Sequence, residues 1–134
     1  MTSANYKNIA NKIKFEGRAF INGKYVDAID GEKFETINPA TGEKLCSVAK
    51  CNSKDVDLAV KVSRKAFNSG VWSRTSPEFR KDVLLKFAEL LREHGVENSV
   101  LECINTGKLI GDCINEVAND APMHFQWYGE LIDK

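Results

Sequence analysis

Apolar residues near the start of the chain recur at helical spacing. Tyr6, Ile9, Ala10 and Ile13 predict a short helix that ends by Gly17. The pattern then changes. Ala19-Phe20-Ile21 and Lys24-Tyr25-Val26 flank Asn22-Gly23, a pair that accepts the positive φ of a tight hairpin turn. Asp30-Gly31 marks a second turn. Phe34-Glu35-Thr36-Ile37 reads as a strand stopped by Asn38-Pro39, and Lys44-Leu45-Cys46-Ser47-Val48-Ala49 as another after Thr41-Gly42. The four strands are short and carry little apolar area. They are expected as two β ribbons, each needing a surface to rest on.

From Ser53 onward the helical period returns. Ser53 is the expected N-cap, with Asp55 and Asp57 at the positive end of the helix dipole. Val56, Ala59, Val60, Ser63, Ala66 and Phe67 share one face, and Asn68-Ser69-Gly70 ends the run. Ser76 and Pro77 open the next helix, whose stripe is Phe79, Val83, Leu84, Phe87, Leu90 and Leu91, with a break at Gly95. A third helix is predicted from Glu97 to Asn105 and a fourth from Asp112 to Leu131. Pro122 should kink or split the fourth, because it removes a backbone donor. The helices are expected to pack mainly through Val60, Phe67, Val83, Phe87, Leu91 and Val117. The layout is an α+β segment: an N-terminal helix, short β ribbons, then three to four helices.

Composition narrows the function classes. The 134 residues suit one domain. Lys+Arg and Asp+Glu are both 19, and this balance argues against a nucleic-acid binder, which would carry a basic excess. Residues 1–67 hold 12 basic and 8 acidic side chains against 7 and 11 in the rest, a split that two solvated faces explain. No apolar run approaches the ~20 residues of a membrane span, and the polar first 18 residues lack the apolar centre of a secretory signal. A cytoplasmic protein without membrane partners is the expectation. Cys46, Cys51, Cys103 and Cys113 form no C-x-x-C pair, so free thiols are expected. Neither G-x-G-x-x-G, G-x-x-x-x-G-K nor G-x-S-x-G occurs. His94 sits in a helix's last turn, where a cation suits the dipole, and His124 stands without an evident partner.

The order of motifs is more specific than any one of them. Phe20-Ile21-Asn22-Gly23 precedes Thr36-Ile37-Asn38-Pro39-Ala40-Thr41-Gly42-Glu43. Then follow the Val56…Ala59 helix, Ala66-Phe67…Trp72, Arg80…Leu84, Asn105-Thr106-Gly107-Lys108 and Phe125-Gln126-Trp127-Tyr128. From Arg18 to Lys134 this succession resembles the N-terminal part of the NAD(P)-dependent aldehyde dehydrogenase superfamily. The most similar branch acts on aminoaldehydes, betaine aldehyde or γ-glutamyl-aminobutyraldehyde.

The resemblance implies the N-terminal portion of a dinucleotide-binding domain within an α/β fold. The expected division is an arm at 1–17, hairpin ribbons at 18–52 and a helical layer at 53–134 that covers that domain. It implies a parent that oxidises an aldehyde to a carboxylic acid with NAD or NADP through a cysteine thiohemiacetal and thioester. The catalytic cysteine, glutamate and asparagine of the family match no position here, so no catalytic or cofactor-binding residue is assigned and this segment is expected to be inactive alone. Thr36 and Ile37, through their carbonyls, and Asn105, where the family usually has Asp, correspond to a monovalent cation site for K+ or Na+. The implied partners are the remainder of the dehydrogenase chain and, in the parent, further copies in a homo-oligomer. The alternatives are a stand-alone helical interaction module using Phe79, Phe87, Leu91 and Phe125, a truncated non-catalytic relative, and an unrelated small α+β protein.

Overall fold

A computed structural model describes residues 2–134. The chain divides into two compact units. One comprises Lys14–Ile37 and Gly42–Arg74; the other comprises the chain up to Ile13 with Asn38–Thr41 and Thr75–Lys134.

In the first unit, strands β1 (Ala19–Ile21) and β2 (Lys24–Val26) pair antiparallel, with Phe20 opposite Tyr25. Asn22 and Gly23 take φ of 56° and 75°, the left-handed geometry that the Asn-Gly pair predicts. Strands β3 (Lys33–Ile37) and β4 (Lys44–Ala49) form a second ribbon, and among the described residues no strand joins the two pairs. Their register shifts between Thr36 and Ile37, so the second ribbon is bulged at its far end.

Helix α2 (Ser53–Ser69) begins one residue earlier than expected. Its N-cap is Asn52, whose side-chain oxygen accepts from the Lys54 amide at 2.8 Å; Ser53 is already helical. Asp55 closes the capping box by accepting from the Asn52 amide at 2.9 Å. It also accepts from the Ile29 amide at 2.9 Å, which ties the segment after β2 to the helix start. Asp55 is the buried residue of this helix, at 2 % exposure. The expected packing through Val60 and Phe67 is not what the structure shows. They are 60 % and 68 % exposed, because the helix turns its apolar stripe outward.

In the second unit, α1 (Ser3–Ala10) packs on α4 (Gly95–Thr106), and α3 (Pro77–Glu93) packs extensively on α6 (Ala121–Leu131). Ser76 caps α3 through its hydroxyl, which accepts from the Phe79 amide at 3.2 Å. Gly95 does not open a loop. It starts α4 directly after His94, because this backbone sits against Ala118. The interior is made of small side chains: Ala88, Ser99, Val100, Cys113 and Pro122 are buried. Val83 and Phe87, expected in the core, are only partly covered, while Leu91 and Val117 are half-buried. Phe87 stands edge-on to Phe125, with centroids 4.6 Å apart.

The last helical stretch is continuous but not uniform. Helix α5 (Ile110–Cys113) runs into a π-helical segment, Ile114–Asp120, and then into α6. Pro122 has no amide to give the carbonyl four residues back. The preceding turns widen to i→i+5 bonding, and Asp120 and Ala121 keep helical angles, so the buried proline is absorbed without a break.

Candidate functional site

The residues singled out for cation binding fall in separate units. Thr36 and Ile37 lie on β3 in the first, Asn105 on α4 in the second. Thr36 is half-buried, and its hydroxyl lies 3.4 Å from the Cys46 carbonyl and 3.3 Å from the Cys46 sulfur. Both residues stay in the ladder, Thr36 opposite Cys46 and Ile37 opposite Lys44; the extra residue of the bulge is Leu45 on β4. Asn105 is exposed in the last turn of α4 and stays helical. The left-handed cap that ends the helix is Gly107, with φ 77°. Among the described residues, no group of three or more His, Cys, Asp or Glu side chains could hold a metal ion.

The cysteines are unbonded to one another and differ in setting. Cys51 is exposed. Cys46 faces the Thr36 hydroxyl. Cys113 is fully buried, with its sulfur 3.9 Å from the Lys108 carbonyl. Burial pushes its thiol up from the ordinary range, and Cys103 adds to the effect. A raised pKa keeps the sulfur protonated, so Cys113 is a packing residue and a poor nucleophile. Neither a hydroxyl nor a carbonyl is a general base, so the contacts of Cys46 and Cys113 do not activate a thiol. His94 is exposed at the α3–α4 junction, 4.0 Å from Glu97, and His124 is exposed on α6.

Helix N-termini are the usual seats for phosphate. Here α2 and α3 spend their first amides on their own caps, Asn52 and Ser76, and Asp55 places a carboxylate where an anion would sit. A mostly apolar cavity of about 360 Å³ lies in the second unit, lined by Tyr6, Ala10, Val100, Cys103, Ile104 and Ile110 among others. Its polar lining is Ser3, Tyr6 and Lys7, all from α1. Reasoning from sequence missed Asn52 as the cap. The signal was present as the Asn-x-x-Asp spacing of residues 52 and 55.

What this arrangement belongs to is settled by comparison. The profile of the aldehyde dehydrogenase family matches residues 25–134. The chain belongs to the aldehyde dehydrogenase family. Aminoacetaldehyde dehydrogenase of Pseudomonas aeruginosa is 43 % identical over 129 residues, covering 96 % of this chain and 26 % of its own length. The solved γ-glutamyl-γ-aminobutyraldehyde dehydrogenase of Burkholderia cenocepacia superposes with a TM-score of 0.95 at 42 % identity, over 100 % of this chain and 27 % of that one. A mutant of the Pseudomonas syringae indole-3-acetaldehyde dehydrogenase AldA, solved with NAD+ and IAA, gives 0.94 at 40 %, over 99 % and 27 %. The chain thus spans about a quarter of the length of these aldehyde dehydrogenases, and its fold is that of an N-terminal piece of theirs. Among the described residues no helix is long and apolar enough to cross a membrane.

Proposed function

We propose that this chain is the N-terminal structural segment of an aldehyde dehydrogenase that oxidises an aldehyde to a carboxylic acid with NAD or NADP. The observation that carries this reading is the match along the whole chain, at TM-scores of 0.94 and 0.95, to solved aldehyde dehydrogenases. The similarity to the aminoacetaldehyde and γ-glutamyl-aminobutyraldehyde enzymes favours an aminoaldehyde substrate.

The starts of α2 and α3 do not suit a dinucleotide. The N-termini of α2 and α3 are filled by their own caps, and no glycine loop opens a helix onto a pyrophosphate. Cofactor and nucleophile are therefore assigned to the part of the relatives that this chain does not span. The role proposed for this chain is architectural: an arm at 1–17, ribbons at 18–52, and helices from 53 to 134 that cover the dinucleotide-binding domain. The proposed setting is cytoplasmic, and the proposed parent is a homo-oligomer.

The cation site is proposed with Thr36 and Ile37 offering carbonyl oxygens and Asn105 its amide oxygen, for K+ or Na+. What supports it is the order of motifs, Thr36-Ile37-Asn38-Pro39 followed by Asn105-Thr106-Gly107-Lys108. Replacing an acidic ligand by Asn105 weakens the hold on a hard cation by one charge.

A chimera tests the activity. Residues 1–134 replace the matching quarter of the Burkholderia enzyme, and aldehyde oxidation is followed with NAD and NADP. Turnover within about tenfold of the parent is expected. A folded chimera that oxidises no aldehyde the parent accepts overturns the reading.

A further inference from the structure

Asn22-Gly23 and Asp30-Gly31 both turn the chain in the first unit, with Gly23 and Gly31 at φ of 75° and 74°. Their chemical settings differ. The Gly31 amide donates to the Ala28 carbonyl at 2.8 Å. The Asp30 carboxylate accepts from the Glu32 amide at 3.1 Å and from the Asn52 side chain at 2.7 Å, and these bonds, the amide's first, hold its pKa down. Nucleophile and electrophile are both occupied there. At Asn22-Gly23 neither is. Asn22 is exposed, and its side chain bonds to no group of the described residues. The Gly23 amide sits at the hairpin tip, beyond the last residue pair, and likewise donates to none of them. Nothing stands within 4 Å of where a Cβ on Gly23 would be. The other asparagines stand in or beside helices or, as Asn38, before a proline that has no amide.

We propose that Asn22 is a site of spontaneous deamidation in the folded chain, and that its isoaspartyl product opens the β1–β2 hairpin. The Gly23 nitrogen gives up its proton to water and attacks the side-chain carbonyl carbon of Asn22. The bond from that carbon to the side-chain nitrogen breaks, ammonia leaves, and a cyclic succinimide remains. Water then adds to one of the two ring carbonyls. One opening gives aspartate; the other gives isoaspartate, in which the main chain runs through the former side chain. The exchange consumes water and no oxidant. Ring closure needs Asn22 to rotate out of its turn geometry, and a ribbon of three residue pairs frays readily enough to allow it. Asparagine is a thermolabile side chain, and glycine leaves its nitrogen unshielded. Isoaspartate lengthens the main chain where two left-handed residues close the turn, so the Ile21–Lys24 pair loses its register. Either product also sets a carboxylate near Lys24 and Lys65, which share surface hollows with Asn22.

The experiment incubates the folded 134-residue chain at mildly alkaline pH and maps its peptides by mass spectrometry. Isoaspartate is counted with a methyltransferase specific for that carboxylate. A peptide of residues 18–27 supplies the rate without a fold. Asn22 in the chain is expected to convert within about tenfold of the peptide, ahead of every other asparagine, while Asp30 stays aspartyl. Slower conversion than that, another asparagine that leads, or isoaspartate at Asp30 before Asn22 overturns the proposal. Amide exchange then reads the hairpin. Lys24 should exchange about tenfold faster in the purified isoaspartyl chain than in the fresh one. Asn22→Asp, which adds the charge without lengthening the main chain, should stay within about twofold of the fresh chain. Equal exchange in the fresh and isoaspartyl chains overturns the opening of the hairpin, and so does an Asn22→Asp chain that exchanges as fast as the isoaspartyl one.

Discussion

Glu16 and Arg18 form a two-residue clamp at the entrance to β1. The Glu16 carboxylate accepts from the Arg18 guanidinium at 2.8 and 2.6 Å and from the Arg18 amide at 3.0 Å. The side-chain bonds, then the amide, hold its pKa down to about 2. A carboxylate depressed in the folded state adds stability that is fully present above its ordinary pKa near 4.5 and is lost as pH falls toward 2. A carbon-detected NMR titration should therefore find Glu16 ionised at pH 3, and Arg18→Ala, which removes the guanidinium and keeps the amide, should move it up toward the ordinary glutamate range. Gly95 is constrained by space instead of charge. A Cβ there would stand 2.8 Å from the Ala118 Cβ, so α4 and the π-helical segment touch without room for a methyl group. Gly95→Ala gains helix propensity, yet the overlap should outweigh it and cost about 1–3 kcal/mol in urea unfolding. An unchanged midpoint would show that the segments part easily.

At the scale of elements, local chemistry proved easier to read than orientation. The Asn22-Gly23 hairpin, the Ser76-Pro77 start, the Gly70 and Gly107 ends and the limits of β4 were legible because each depends on a few adjacent residues. The facing of α2 was not. Periodicity tells which side chains share a side, and it is silent about what that side meets; Val60 and Phe67 form the stripe the pattern predicts, turned outward. The π-helical segment was also hidden, since Pro122 announces a lost donor without telling whether the helix breaks or widens. The candidate site was less legible still: the motif order named Thr36, Ile37 and Asn105, while only the ribbon's register revealed the extra residue, Leu45, opposite the first two. Two substitutions test the element scale. Asp55→Ala removes the acceptor shared by the Ile29 and Asn52 amides and should cost about 2–4 kcal/mol, with early hydrogen exchange at those two amides. Phe87→Ala should cost about 1–2 kcal/mol, less than a buried phenylalanine, because the ring is 42 % exposed and rests on Phe125. A loss above about 3 kcal/mol would mean that α3 and α6 are covered in solution.

For the whole molecule, the chemistry of the thiols and helix ends leads to a last prediction. The 134-residue chain, by itself, should oxidise no aldehyde with NAD or NADP. An aldehyde dehydrogenase of the proposed kind needs a thiolate to attack the carbonyl, a base to form it and donors to stabilise the oxyanion. Here burial holds the Cys113 thiol protonated, and Cys46 meets a hydroxyl that cannot take its proton. The amides at the starts of α2 and α3 are already engaged by Asn52, Asp55 and Ser76, so they have little to offer a pyrophosphate. The same chain exposes Phe67 and much of the α3–α6 apolar surface, including Trp127, and this should draw it into association as concentration rises. Calorimetric titration with either cofactor should show no saturable heat, and absorbance of the reduced nicotinamide should stay flat across a panel of aldehydes. Sedimentation velocity, run alongside, should show the apparent mass climbing with concentration. Cofactor-dependent turnover that disappears on mutating any one of Cys46, Cys51, Cys103 or Cys113 would overturn the prediction, because it would place a working nucleophile within these residues.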